Sequence, residues 1–111
     1  MLRALAAHPD RFRAGVALHP SRCTTDEADS PHLVVPSLTA SLYVGFGADD
    51  TSQSPADNQA LIEAVEALPN GEVEIHAGAL HGFAVPGGAY HPTAADRSYD
   101  RARALFAAAL G

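Results

Sequence analysis

The stretch EVEIHAGALHGF, residues 72–83, places a histidine just beyond a short strand. Its first five residues, from Glu72 to His76, alternate polar and apolar side chains, which is the pattern of a half-buried β-strand. His81 therefore falls in the loop past the carboxyl end of that strand, where open α/β sheets place ligands and catalytic groups. Because an imidazole gains or loses a proton near neutral pH, His81 is the first candidate catalytic residue.

Two further strands are predicted upstream, at residues 14–19 and 41–46. Both segments are nearly continuous apolar runs, AGVALH and SLYVGF, which are typical of strands buried on both faces in a parallel sheet. A helical pattern separates the second of these strands from residues 72–76, and another follows the His81 loop. Strands that alternate with helices predict right-handed crossovers and a parallel sheet covered by helices. The predicted fold class is therefore α/β.

Helix-start signals delimit the two later helices. Ser54 followed by Pro55 supplies a hydroxyl cap and a proline at the first helical position, so a helix is predicted over residues 54–68. Thr93, with Asp96 three residues later, predicts the start of the final helix. The predicted apolar face of that helix consists of Tyr99, Ala102, Leu105, Phe106 and Ala109.

Composition excludes several classes of protein. The 111 residues, 47% of them hydrophobic, form one domain or part of one. With 7 basic and 13 acidic residues and a formal charge of -6, no nucleic-acid or anionic-membrane partner is expected. No apolar run reaches the roughly 18 residues of a membrane span, and the single cysteine excludes an internal disulfide framework. The expected location is the cytoplasm.

Two aspartates follow the second predicted strand. Asp49 and Asp50 lie just past its carboxyl end, as His81 does for the next strand, so both loops open on the same edge of a parallel sheet. An aspartate hydrogen-bonded to a histidine fixes its tautomer and stabilises the imidazolium that forms during acyl transfer. Loop aspartates also make turns and cap helices, so both interpretations stand.

Other candidate groups are less persuasive on sequence alone. His76, His81 and His91 are the one set to weigh as a metal cluster, but no Cys or carboxylate stands at a recognised ligand spacing, and no metal site is predicted. Cys23 and the serines lack the strand-turn-helix context of an activated nucleophile, so none is assigned as one. The serines rejected in this way are Ser21, Ser52 and Ser54. His8, His19 and His32 are interpreted as surface or strand-end residues.

Several of these motifs together resemble one known family. The segment YVGFGADD (residues 43–50), the Ser54-Pro55 helix start, and HGFAVP (residues 81–86) followed by Tyr90 are similar to the carboxyl half of dienelactone hydrolases. The resemblance covers essentially the whole chain. It implies a partial α/β-hydrolase fold of about three parallel strands with flanking helices.

The resemblance also implies a function and a site. Family members hydrolyse an ester or lactone with a nucleophile, an Asp and a His in that chain order. Matched by motif, Asp50 would be the orienting acid and His81 the general base, with Asp49 as the fallback. No cofactor is implied, and the expected ligand is a small-molecule ester or lactone.

The sequence departs from the family pattern at the nucleophile. The sharp turn G-x-C-x-G or G-x-S-x-G, called the nucleophile elbow, does not occur in residues 1–111. The interpretation is that residues 1–111 are the carboxyl-terminal segment of a hydrolase domain, truncated by a misplaced start or gene decay and inactive alone. The alternative is a non-catalytic fragment or interaction module. In either case the strand at residues 14–19 would present a bare sheet edge, which favours self-association.

Overall fold

Three parallel strands, β1 (Ala14–Leu18), β2 (Ser41–Gly47) and β3 (Gly71–His76), form a single sheet in the computed structural model, which describes residues 1–111. The strand order is β1-β2-β3, so β2 lies in the centre and is buried along nearly its whole length. The predicted fold class is confirmed. The parallel pairing places the carboxyl ends of all three strands along one edge of the sheet.

Helices cover both faces of the sheet. The α-helices are α1 (Leu2–Ala7), α2 (Gln59–Glu66) and α3 (Pro92–Leu110), and two 3-10 helices span Pro31–Ser37 and Ala56–Asn58. The larger apolar core lies on the face covered by α1, α2 and the first 3-10 helix, because alternate residues of β2 point there. Its largest buried members include Leu42, Val44, Phe46, Leu61 and Val65.

The helix predicted over residues 54–68 is shorter and begins differently. The Ser54 hydroxyl accepts a hydrogen bond from the Asp57 N–H (3.1 Å), as a cap should. The first turn is nevertheless the 3-10 helix Ala56–Asn58, because Asn58 N–H bonds the carbonyls of both Ser54 and Pro55. α2 ends at Glu66, and the N–H of Leu68 closes a tighter turn on Val65.

The predicted start and buried face of the last helix are partly wrong. His91, not Thr93, caps α3, and its Nδ1 accepts a hydrogen bond from Ala94 N–H (3.1 Å). The helix begins one residue before Thr93 because Pro92 fits the first helical position. Ala102 and Leu105 are buried as predicted, whereas Tyr99 and Phe106 are 43% and 39% exposed. Small side chains bring α3 against the sheet instead: Ala94, Ala95 and Ser98.

No helix in the structure combines the length and apolar character needed to cross a membrane.

Candidate active site

Backbone hydrogen bonds tie the loops after β2 and β3 together. Ala48 N–H donates to the carbonyl of His76 (2.9 Å), and Asp49 N–H donates to that of Ala79 (3.0 Å). Gly47 makes this approach possible, since a Cβ at that position would lie 2.4 Å from the Ala79 oxygen. The loop that carries Asp50 is thus fixed against the one that carries His81.

Asp50 and His81 form a hydrogen-bonded pair beyond the carboxyl ends of β2 and β3. The Nδ1 atom of His81 lies 2.8 Å from Oδ2 of Asp50. The side chain of Asp50 is 1% exposed and that of His81 38% exposed, so the carboxylate is buried while the imidazole reaches solvent. This is the geometry in which an aspartate orients a histidine and leaves its other nitrogen free to react.

The second oxygen of Asp50 is fully occupied by donors. Oδ1 accepts from Ser52 N–H (2.9 Å), the Ser52 hydroxyl (2.9 Å) and Gln53 N–H (2.8 Å). Burial acts to raise the pKa of Asp50, but the bonds from Gln53, His81 and Ser52 outweigh it and lower that pKa below its ordinary value. A charged Asp50 requires a proton on His81 Nδ1, so Nε2 of the neutral ring is the basic atom.

Asp49, the fallback for the acid, points elsewhere. It is exposed, and its backbone N–H, rather than its carboxylate, connects the two loops. Its side chain forms no hydrogen bond or ion pair with His81. Of the two aspartates, the structure brings only Asp50 to the histidine.

Two residues that the sequence analysis set aside lie beside His81. Ser21 Oγ is 3.3 Å from His81 Nε2, and the His19 ring meets the His81 ring edge-on at 5.3 Å between centroids. Burial and the neighbouring His81 lower the pKa of His19, which favours its neutral form. Both residues follow the carboxyl end of β1. The rule that located Asp50 and His81 could therefore have found them.

The other histidines and the cysteine have different environments. His76 is buried, with Nε2 3.3 Å from the Tyr43 hydroxyl and 3.1 Å from that of Ser98, and His91 caps α3. His76 and His91 line one cavity near the start of α3, whereas His81 contacts Asp50, and no three His, Cys, Asp or Glu side chains are grouped as metal ligands. Burial raises the pKa of the Cys23 thiol, which disfavours the nucleophilic thiolate.

Sequence comparison agrees with the resemblance carried by the motifs. The model of the Dienelactone hydrolase family matches residues 1–110, nearly the entire chain. The chain belongs to the dienelactone hydrolase family. Membership places it in a family of hydrolases, and the sheet with its flanking helices matches part of an α/β-hydrolase fold.

A solved structure shows the same fold. The crystal structure of a protein described as "Putative Dienelactone Hydrolase from Klebsiella pneumoniae subsp. pneumoniae MGH 78578" superposes with a TM-score of 0.80 at 23% sequence identity. The match covers 96% of this chain and 46% of that one, so the chain spans about half the length of this relative. Among proteins of curated function, none matches the sequence significantly.

Proposed function

We propose that residues 1–111 supply the general base and the orienting acid for hydrolysis of a carboxylic ester or lactone. The observation that carries the proposal is the 2.8 Å contact between His81 Nδ1 and the buried carboxylate of Asp50. Membership of the dienelactone hydrolase family supports the reaction class. The substrate would be a small-molecule ester or lactone, and the chemistry needs no cofactor.

Each residue has a defined part in the proposed reaction. Nε2 of His81 removes the proton from the attacking nucleophile and later returns it to the leaving alkoxide. Between those two transfers the ring is an imidazolium, and the Asp50 carboxylate stabilises its charge. The buried hydrogen bonds to Oδ1 hold that carboxylate in position.

The nucleophile of the family elbow is proposed to come from residues outside this sequence. Residues 1–111 contain neither G-x-C-x-G nor G-x-S-x-G. Loss of a triad nucleophile lowers turnover by about a millionfold, so the 111-residue chain would catalyse far more slowly than a complete enzyme. The coding DNA upstream of Met1 tests this point, because an in-frame elbow motif supports it and in-frame stop codons contradict a misplaced start.

The role of His81 is testable in the chain itself. We expect the His81→Ala variant to lose most of the chain's slow hydrolysis of p-nitrophenyl acetate, since the base paired with Asp50 is removed. His8→Ala is the matched control, because His8 is exposed and precedes the amino end of β1, whereas Asp50 follows the carboxyl end of the parallel strand β2. The measurement is the rate of nitrophenolate release at neutral pH, with circular dichroism to verify folding. Equal losses in the two variants would count against a catalytic site at His81.

A second candidate function, an interaction module, is favoured by the free edge of β1. β1 pairs with β2 alone, and its residues Ala14–Leu18 include no charge or proline to discourage pairing with another chain. The opposite edge differs, because Glu72 and Glu74 of β3 carry charge and pair with Arg101 and Arg97. We propose that the chain self-associates through β1.

Self-association should be visible as concentration dependence. We expect the sedimentation coefficient to rise with protein concentration, because strand pairing satisfies unpaired N–H and C=O groups of β1. Deuterium uptake at Ala14–Leu18 should fall over the same range, while uptake at Gly71–His76 stays constant as an internal control. A monomer at all concentrations would contradict the proposal.

A further inference from the structure

Ser21 occupies the reacting side of His81. Its Oγ lies 3.3 Å from Nε2, the atom left basic because the proton on Nδ1 is committed to Asp50. The Ser21 hydroxyl therefore donates its hydrogen to His81. Hydroxyl, imidazole and buried carboxylate stand in one hydrogen-bonded series, which is the order of groups that activates a serine.

The Ser21 hydroxyl is also accessible from a cavity. Ser21 is exposed, and it lines a space of about 320 Å³ between the start of α1 and the carboxyl end of β1. That volume lies at the lower end of the range for ligand pockets. The other lining residues include Leu2, Ala17 and Pro20, with Arg3 and Arg22 adding positive charge.

The turn that carries Ser21 has a fixed and unusual backbone. His19 and Arg22 have positive φ angles of 39° and 57°, a region that side-chain-bearing residues seldom adopt. The hydrogen bond from His19 N–H to the Gly45 carbonyl (2.8 Å) anchors the turn to β2. Strained backbone of this kind persists where surrounding structure enforces it, and it is concentrated at functional sites.

We propose that Ser21 is a second nucleophile of this site, one that His81 activates toward small activated carboxylic esters. The inference rests on the proposed function of His81 as a base. It differs from that function in naming a hydroxyl within residues 1–111 as the acyl acceptor, separate from the elbow nucleophile of a complete family enzyme.

The proposed steps conserve atoms and charge. Ser21 Oγ attacks the ester carbonyl while its proton passes to His81 Nε2, giving a tetrahedral oxyanion beside the cavity that Arg3 and Arg22 line. The C–O bond to the leaving group then breaks, and His81 returns the proton to that oxygen. The products are an alcohol and acyl-Ser21. Water, deprotonated by His81, then attacks the acyl carbonyl, the bond to Ser21 Oγ breaks, and His81 returns the proton to Oγ as the carboxylic acid leaves.

The small cavity beside Ser21 makes a compact ester the appropriate probe. A space of about 320 Å³ accommodates an acetyl group together with a nitrophenyl leaving group. p-Nitrophenyl acetate is therefore the probe. After incubation with the folded 111-residue chain, peptide mass spectrometry should find one acetyl group at Ser21.

Variants separate activation by His81 from chance reactivity. Replacing His81 by alanine should slow acetylation of Ser21 at least about a hundredfold, the usual contribution of general base catalysis. Ser21→Ala should abolish the label, Ser21→Cys should restore it on sulfur, and Ser37→Ala should leave it unchanged. Ser37 is the matched control because it is exposed and its hydroxyl donates only to the Val34 carbonyl.

The outcomes distinguish the two proposals. In one outcome, nitrophenolate release requires His81, but Ser21 is unlabelled and the Ser21→Ala variant keeps the full rate. That outcome refutes Ser21 as a second nucleophile and leaves the role of His81 as a base standing. Labelling of Ser21 that persists in the His81→Ala variant also refutes it, since the hydroxyl would react without activation. If neither release nor labelling depends on His81, both proposals fail.

Discussion

Replacing Asp50 by asparagine should reduce ester hydrolysis to the rate of the His81→Ala variant. The effect is expected although the side chains of aspartate and asparagine have nearly the same shape. In a complete nucleophile-His-Asp triad the corresponding change costs about ten-thousandfold in turnover. In this chain the expected result is loss of the entire His81-dependent rate.

The hydrogen bonds around Asp50 explain why so small a change should be so damaging. Oδ1 accepts three hydrogen bonds, two of them from the backbone N–H groups of Ser52 and Gln53, so the amide oxygen of Asp50→Asn must take that position. The amide NH₂ then faces His81 Nδ1, which must become an acceptor. The ring proton moves to Nε2, and the atom that should accept the nucleophile's proton is blocked.

Asp49→Asn is the matched control. Asp49 is the adjacent residue but is exposed, and its carboxylate does not contact His81, so this variant should keep the parent rate. Nitrogen-15 chemical shifts of the His81 ring would report the tautomer directly, with the proton on Nδ1 in the parent and on Nε2 in Asp50→Asn. An unchanged tautomer and rate in Asp50→Asn would refute the orienting role.

Gly47→Ala should destabilise the chain by about 3 kcal/mol, a large cost for one added methyl group. The new Cβ would lie 2.4 Å from the carbonyl oxygen of Ala79 and 2.8 Å from the carbonyl carbon of the same residue. These are backbone atoms, so the whole segment that leads to His81 must move. The pair of His81 and Asp50 should separate as a result, and hydrolysis should fall together with stability.

Gly45→Ala provides the comparison within the same strand. A Cβ at Gly45 would have its nearest contacts at 3.4 to 3.5 Å, all with side-chain atoms of His76, Leu18 and Tyr43. Urea denaturation of both variants measures the difference, and Gly45→Ala should change the unfolding free energy by less than about 1 kcal/mol. Equal stability of the two variants would show that the loops are not tightly packed at Gly47.

The sequence predicted the layout of this chain better than its local detail. Parallel strands follow from the apolar runs of β1 and β2, and the shared edge of the sheet led to Asp50 and His81. The same pattern could not choose between Asp49 and Asp50, because the choice depends on the turn geometry that buries Asp50 beneath Ser52 and Gln53.

Contacts between distant segments explain what sequence reasoning missed. Ser21 was set aside because its neighbours do not form an elbow, yet 60 residues separate it from the His81 nitrogen that it contacts. The start of α3 was misplaced because histidine is an uncommon cap, and His91 acts as one through its ring nitrogen. Local propensity contains no information about the contact between Ser21 and His81, whereas the His91 cap is a local contact that Pro92 at the first helical position indicates.

Besides the contact between Asp50 and His81 themselves, main-chain hydrogen bonds join the two loops that carry these residues, from Ala48 to His76 and from Asp49 to Ala79. Main-chain bonds of this kind survive changes of side chain, so evolution can vary the exposed positions Ala48, Asp49 and Leu80 without moving the reacting pair. Substitutions at these exposed positions should therefore leave the distance between His81 and Asp50 unchanged. The same exposed positions are the natural ones to randomise in a directed-evolution library.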